Sequence, residues 1–142
     1  MSWLAWNCCG LRNLHIEKEL GVLVWTKDPS ILFIVETWTD EVKLKYIKRN
    51  LEFDHVFVVP RNNRGGGLAL FWKNSMDVIV ETFSKNHTDS IINKGKEDAW
   101  RFTGFYGELV THLRHESWSK LRKLNSSFNL PWLCTGDFNE II

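Results

Sequence analysis

Polar residues stand at the ends of apolar, strand-like segments at three places in this chain. Asn7 follows LAW, Glu36 follows ILFIV, and Asp137 and Asn139 follow PWLCTG. In α/β proteins, sites form where strand ends converge, because the sheet holds side chains still while the adjoining loops stay open to ligand. Convergence would make these carboxylates and amides one polar site. Taken singly, each residue is more often a turn or helix-capping residue, and that alternative stays open.

The first half of the chain alternates between strand and helix patterns. The β-prone stretch SWLAWNCCGL precedes HIEKELGVLVWTKD, whose apolar residues have helical spacing. ILFIVET is a continuous apolar run of the kind found in a strand buried on both faces. In TDEVKLKYIKRN, an acidic first turn and a basic last turn predict a surface helix, with Thr39 or Asp40 as its N-cap.

The second half reads as a series of strands followed by a helix and a strand. The strand-like stretches are HVFVVP, GGLALFW, MDVIVETF, SIIN and AWRFTGFYG, separated by the turn-like RNNRGG, KNS, SKNHTD and KGKED. THLRHESWSKLRKLNSSF is helical in pattern, and PWLCTGDF reads as the closing strand.

These elements predict an α/β fold with one mixed sheet of about seven or eight strands. Helices are expected near residues 15–27, 40–50 and 115–127, all on one face of the sheet. Because ILFIVET has no polar side, the other face must also be covered, and the sequence shows no second layer to cover it. We therefore expect an exposed apolar face that promotes self-association or binds a partner chain.

Composition narrows the class of protein. The chain has 142 residues, is 44% hydrophobic and carries a net charge of +1, which suits one globular domain and gives no electrostatic case for a protein that coats nucleic acid. Its three cysteines have neither disulfide-framework nor metal-ligand spacing, which favours a reducing compartment. Without an apolar run of about 18 residues or a signal-peptide pattern, we expect an intracellular protein, nuclear or cytoplasmic, not secreted and not in a membrane.

Six stretches, taken together and in order, resemble the endonuclease/exonuclease/phosphatase superfamily. They are WNCCGLRN, ILFIVETW, GGGLALFW, WRFTGFYG, RHESWSKL and PWLCTGDFNEI, and they span nearly the whole chain. Within that superfamily the chain more closely resembles the apurinic-endonuclease-like domain of plant LINE-type (non-LTR) retrotransposons. The resemblance implies the first half of a two-sheet α/β sandwich and a Mg²⁺-dependent nicking endonuclease that acts on DNA, with Mn²⁺ as an alternative ion.

The resemblance also assigns roles to individual residues. Glu36 corresponds to the carboxylate that holds the divalent ion, and Asn7 belongs to the same metal site. Asp137 corresponds to the aspartate that orients or deprotonates the attacking water. Asn139 resembles the asparagine that holds phosphate and nucleophile, and Tyr106 the tyrosine that reaches the scissile phosphate. These types suit the chemistry, because Mg²⁺ prefers oxygen ligands and offsets charge on phosphoryl oxygens.

The chain also departs from the family pattern. The family continues after GDFN with further strands and a Ser-Asp-His segment, whereas every histidine here precedes that motif. Trp38 stands where many relatives carry lysine or another polar residue. We therefore expect residues 1–142 to be one domain truncated at its C-terminus, with no measurable nicking activity of its own.

Arg61 and Arg64, beside the glycines of RGGG, are weaker candidates for binding a nucleic-acid backbone. A hairpin turn with solvated arginines is the alternative reading. Two other functions remain open for the chain as a whole. One is a non-catalytic retroelement remnant or binding fragment, and the other is a phosphoesterase acting on a lipid or inositol phosphate.

Overall fold

The computed structural model describes residues 1–11, 13–62, 66–107, 111–126 and 129–139. Within these ranges the chain forms eight strands and three α-helices, with a single 3-10 turn at Thr111–Leu113 before the last helix. The strands are β1 Trp3–Asn7, β2 Ile31–Val35, β3 His55–Val59, β4 Leu68–Trp72, β5 Val78–Ser84, β6 His87–Ile92, β7 Trp100–Tyr106 and β8 Trp132–Asp137. The helices are α1 Leu14–Lys27, α2 Glu41–Asn50 and α3 Arg114–Asn125.

The strands form two four-stranded sheets and not the single sheet expected from the sequence. The first sheet has the order β1-β2-β4-β3 and the second β5-β6-β7-β8. Each is mixed, since β1 runs parallel to β2 and β7 parallel to β8, while the other neighbours are antiparallel. The expected α/β architecture with mixed sheets and flanking helices is confirmed. The sheet count was wrong because strand periodicity does not reveal that the chain changes sheets between β4 and β5.

The two sheets pack face to face, so the inner face of the first sheet is covered. Phe33 and Leu70 of the first sheet share one buried cluster with Phe102 and Ile92 of the second. The rings of Phe57 and Phe83 meet across the layers with centroids 5.1 Å apart. The prediction of an exposed apolar face was therefore wrong, and the expected self-association loses the reason given for it.

The glycine at position 104 is what lets the sheets approach so closely at their centre. A Cβ placed on Gly104 would lie 2.4 Å from the ring of Phe33, which is closer than packed carbon atoms approach. Glycine in a strand interior often marks such a close approach. The second sheet therefore rests directly on the strand whose end carries Glu36.

Helices lie on both outer sides of the sandwich, not on one. Leu20 and Leu44, from α1 and α2, pack with Leu32 and Phe71 on the outside of the first sheet. Helix α3 covers the outside of the second sheet, where Arg101 Nη1 donates a hydrogen bond to the carbonyl oxygen of Leu124. None of these three helices, in the part of the chain that the structure describes, combines the length and apolar character needed to span a bilayer.

Helix bounds lie within two residues of those expected, whereas the strand predicted at SIIN begins three residues earlier, at His87. Asp40 is the N-cap of α2, and its side chain accepts a hydrogen bond from Lys43 N. The stretch SKNHTD, expected to be a turn, instead supplies the end of β5, a tight turn at Lys85 and Asn86, and the start of β6. The interpretation was wrong because His87 and Asp89 are buried polar residues with partners beneath α3, and composition alone cannot distinguish them from solvated turn residues.

Candidate functional site

The C-terminal ends of four strands meet where the two sheets face each other. In the first sheet Asn7 ends β1 opposite Val35, which ends β2. In the second sheet Tyr106 ends β7 opposite Asp137, which ends β8. Asn7 Nδ2 donates a hydrogen bond of 3.0 Å to Asp137 Oδ2, which joins the two sheets at this edge. The structure thus brings residues 130 positions apart into direct contact.

Glu36 lies directly after β2, and two neighbouring loops hold its backbone. Its φ of +55° is unusual for a residue with a side chain, so the surroundings must stabilise it. Gly10 N donates to the carbonyl oxygen of Glu36 at 2.8 Å, and Thr37 N donates to that of Gly67 at 3.3 Å. Loops from both sides therefore fix the backbone from which the Glu36 side chain extends.

Tyr106 connects the carboxylates of the two sheets. Only 7% of the residue is exposed. Burial, followed by a hydrogen bond to Glu36 and the charges of Glu36 and Asp137, raises the pKa of Tyr106 far above its usual value. The phenol therefore stays protonated and can act as a hydrogen-bond donor.

The turn after β8 fixes Asp137 and Asn139 relative to each other. The backbone N–H of Asn139 donates to Asp137 Oδ1 at 3.0 Å, and Asn139 Nδ2 donates to the carbonyl oxygen of Gly107 at 2.7 Å. Position 107 must be glycine, because a Cβ there would lie 1.9 Å from the carbonyl oxygen of Phe138. Both oxygens of the Asp137 carboxylate accordingly accept a hydrogen bond.

Cys9 and Asn86 were not anticipated as neighbours of the site. Cys9 N donates to Asn7 Oδ1 at 3.0 Å, and the exposed Cys9 thiol lies 4.0 Å from Glu36 Oε2. Asn86 Nδ2 donates to the carbonyl oxygen of Tyr106 at 2.8 Å and so anchors the end of β7. Adjacency to Asn7 could have signalled Cys9, whereas Asn86 lies in the stretch that was interpreted as a turn.

The arginine candidates are only partly described. Arg61 is exposed and lies beside Gly67, whose carbonyl oxygen accepts from Thr37. This places Arg61 near the Glu36 loop, at the rim of the first sheet. Arg64 lies outside the described residues.

The donors at this edge are oxygens, which suits a hard divalent cation. Glu36 and Asp137 supply carboxylates, and Asn7 supplies an amide. Mg²⁺ is commonly bound through one or two carboxylates together with waters and substrate phosphate, not by a complete protein cage. The described ranges contain no group of three His, Cys, Asp or Glu side chains that could hold a metal by themselves.

Comparisons with known proteins agree with this architecture. The model of the Endonuclease/Exonuclease/phosphatase family matches residues 4–141. The human Nocturnin catalytic domain aligns with a TM-score of 0.71 at 13% identity, covering 97% of this chain and 64% of that domain. The endonuclease domain of TRAS1, a telomere-specific non-LTR retrotransposon, aligns at 0.68 with 17% identity, covering 97% of this chain and 59% of that domain.

A phosphatase shares the fold as well. The mannosyl-6-phosphatase of Bacteroides thetaiotaomicron aligns with a TM-score of 0.63 at 22% identity, covering 87% of this chain and 56% of that protein. The chain thus spans less than two thirds of the length of each of these structures. No curated protein sequence matches this chain.

Proposed function

Because this chain belongs to the endonuclease/exonuclease/phosphatase family, we propose that its strand-end site serves Mg²⁺-dependent hydrolysis of phosphodiester bonds in DNA, as in retroelement endonucleases. The observation that supports the proposal best is the hydrogen bond between Asn7 and Asp137. It joins the amide of one sheet to the carboxylate of the other, and the proximity of Tyr106 to both Glu36 and Asp137 supports the same grouping. That is the constellation expected for binding a phosphate beside a cation and a positioned water.

Glu36 and Asn7 are the residues that would hold the cation, with Mn²⁺ as an alternative to Mg²⁺. A bound divalent ion would offset the charge that develops on the phosphoryl oxygens. The loops that constrain the Glu36 backbone keep its carboxylate at the strand end before substrate arrives. Such preorganisation reduces the reorganisation that is needed during the reaction.

Asp137 would orient the attacking water and accept its proton. Asn7 and the backbone of Asn139 each donate to one of its oxygens, which holds the carboxylate in one orientation. Carboxylate oxygens have further lone pairs available to accept from a water. Asn139 fixes this turn by donating from its side chain to Gly107.

When substrate is bound, Tyr106 would move its hydrogen bond from Glu36 to a non-bridging phosphate oxygen, with the phenol remaining protonated. Its raised pKa keeps the group neutral, so it adds no negative charge beside an anionic substrate. His55 stacks on Trp72 at the opposite end of the first sheet, and both ring nitrogens of His87 face Ser84 and Thr82.

The test uses two phosphodiester substrates, one whose leaving group must be protonated to depart and one whose leaving group departs without protonation. We expect no Mg²⁺-dependent nicking of supercoiled plasmid by this chain, since none of its five histidines corresponds to the family histidine that contacts the phosphate. Bis-p-nitrophenyl phosphate is a phosphodiester whose leaving group departs without protonation, and we expect it to be hydrolysed slowly in Mg²⁺ or Mn²⁺ and not in EDTA.

Glu36→Ala should abolish this hydrolysis, whereas Glu41→Ala, which removes an exposed carboxylate on α2, should leave it unchanged. Hydrolysis that survives Glu36→Ala would contradict the proposed site. Preference for p-nitrophenyl phosphate, a monoester, would favour the phosphatase alternative. Plasmid nicking that Glu36→Ala abolishes would overturn the expected inactivity on DNA and support the site.

A further inference from the structure

Asn86 lies in the tight turn between β5 and β6, beside the end of β7 that carries Tyr106. It is only 8% exposed, although the polar residues that favour such turns mostly lie in solvent. No step of the proposed reaction involves Asn86. The contacts of its buried amide indicate what it does at this end of the sheet.

The backbone of Asn86 makes only half of the next step in the pairing of β6 with β7. The register of the two strands ends with His87 opposite Phe105, so Asn86 faces Tyr106. Tyr106 N donates to the carbonyl oxygen of Asn86 at 2.6 Å. In an antiparallel sheet such a pair exchanges two backbone hydrogen bonds. Here the N–H of Asn86 instead donates to Ser84 Oγ at 3.1 Å, within the turn.

The side chain of Asn86 supplies the donor that its backbone does not. Its Nδ2 donates to the carbonyl oxygen of Tyr106 at 2.8 Å. Its Oδ1 accepts from Lys120 Nζ at 3.3 Å. Because a lysine ammonium can only donate, the amide oxygen must face Lys120 and the amide nitrogen must face Tyr106. One residue thus holds both polar backbone groups of Tyr106.

The phenol of Tyr106 depends on the position of this backbone, because its contacts lie across the sandwich. Burial, and next the hydrogen bond and charge of Glu36 from the first sheet, raise its pKa. On one side Tyr106 is paired with Asp137 of β8, and on the other side with Asn86. Hydrogen bonds weaken steeply when their geometry is lost, so a shift of the end of β7 would weaken the contact with Glu36.

On the basis of the proposed function, we propose that Asn86 is a positioning residue, which holds the backbone of Tyr106 so that its phenol reaches Glu36 and, during the reaction, the substrate phosphate. Lys120 of α3 keeps the amide in the orientation that this requires. The alternative is a turn residue with a purely structural role. That role predicts lower stability without a specific change at Tyr106.

NMR spectroscopy of ¹⁹F in protein labelled with 3-fluorotyrosine distinguishes the two roles. The chain has two tyrosines, so it gives two resonances, and Tyr106→Phe identifies them. Tyr46, which is 47% exposed on α2, is the internal reference for folding. The pH at which the Tyr106 resonance titrates reports the surroundings of its phenol, because burial and the contact with Glu36 raise the pKa.

Two variants remove the donor to Tyr106. Asn86→Ala has no amide, and Asn86→Ser keeps a residue suited to turns whose side chain is too short to reach the Tyr106 carbonyl oxygen. Asn93→Ala is the matched control, because Asn93 follows β6 at its opposite end, where Nδ2 donates to Asp98 Oδ2 at 3.1 Å.

Both Asn86 variants should lower the pH at which the Tyr106 resonance titrates by about one unit or more. They should also lower kcat for bis-p-nitrophenyl phosphate by about tenfold or more, since Tyr106 would donate to the phosphate less well. Asn93→Ala should change neither value.

A folded Asn86→Ala protein, as judged by its Tyr46 resonance, whose Tyr106 resonance titrates as in the native chain would overturn the inference. Failure of both Asn86 variants to fold would overturn it as well, because a structural role would then account for the buried amide. If the native chain hydrolyses no phosphodiester while the shift at Tyr106 appears, the proposed function fails and the positioning of Tyr106 by Asn86 stands.

Discussion

The two sheets of this sandwich are stabilised in different ways. In the first sheet, all five residues of β2 are buried and apolar, and they pack against other apolar side chains on both faces. In the second sheet, the outer face contains a buried ion pair. Arg101 is 1% exposed and forms a bidentate pair with Asp89, with Nε–Oδ1 and Nη2–Oδ2 distances of 2.7 and 2.9 Å.

The buried pair belongs to a wider polar network beneath α3. Thr103 Oγ1 donates to Asp89 Oδ1 and accepts from Trp132 Nε1, both at 2.7 Å. The Arg101 guanidinium lies 4.8 Å from the centre of the Trp132 ring and also donates to the carbonyl oxygen of Leu124. The network thereby links β6, β7 and β8 to the last turn of α3.

This difference indicates that the stability of the second sheet depends on specific side-chain pairs, whereas that of the first sheet depends on hydrophobic packing. Hydrophobic packing is non-directional, so the first sheet should tolerate small apolar substitutions. A buried ion pair is different, since removing one member leaves an uncompensated charge in the interior. The strand that carries Asp137 is therefore held by a network that a single substitution can disrupt.

The largest expected effect comes from breaking that pair. Arg101→Met should lower the free energy of unfolding by about 3–5 kcal/mol, because Asp89 would remain buried without its partner. Ile34→Val in the first sheet, also buried, should cost only about 0.5–1.5 kcal/mol. Urea denaturation followed by tryptophan fluorescence measures both.

A double variant separates the cost of the unpaired charge from the cost of losing the ion pair itself. Replacing both members, as in Arg101→Met with Asp89→Leu, removes the uncompensated charge and should recover much of the lost stability. If Arg101→Met costs no more than Ile34→Val, the buried pair does not stabilise the second sheet in the way described.

A smaller effect should appear as a pH dependence that is specific to the second sheet. Burial, and next the nearby Lys120 charge, lower the pKa of His87 from 6.5 to about 4, with Asp89 opposing and Arg101 adding to the shift. The unfolded chain therefore binds a proton that the folded chain rejects, and stability should fall as the pH drops from about 6.5 towards 4.

The urea midpoint at pH 7 and pH 5 measures this loss. His87→Gln has no titrating ring and should show a smaller drop between the two pH values than the native chain. An equal drop in both proteins would assign the pH dependence to other groups.

The sequence predicted the first sheet far better than the second. ILFIVET and GGLALFW are apolar runs, and apolar runs identify buried strands directly. The first half of β6, His87 to Asp89, was interpreted as a turn because its polar residues are buried with partners distant in the chain, whereas its second half was predicted as the strand SIIN. The division into two sheets was missed for a related reason, since it depends on which strands pair.

For the site, sequence analysis named residues but could not supply their contacts. Asn7, Glu36 and Asp137 stood out as polar residues at strand ends, and the structure brings them together. The hydrogen bond from Asn7 to Asp137 joins the two sheets. It could not be predicted from the single sheet that the sequence indicated. Their roles in metal binding and hydrolysis stay predictions.

Whether the strand-end site binds a divalent metal ion is tested by titration with Mn²⁺, a paramagnetic substitute for Mg²⁺, followed by electron paramagnetic resonance. The native chain should bind one ion, with tighter binding when a dinucleotide phosphodiester is added, because Mg²⁺-type sites draw ligands from both carboxylate and phosphate. Glu36→Ala should lose this binding, and Glu41→Ala should keep it. Mn²⁺ binding that Glu36→Ala leaves unchanged would contradict the assignment of this strand-end site as a metal-dependent phosphodiester centre.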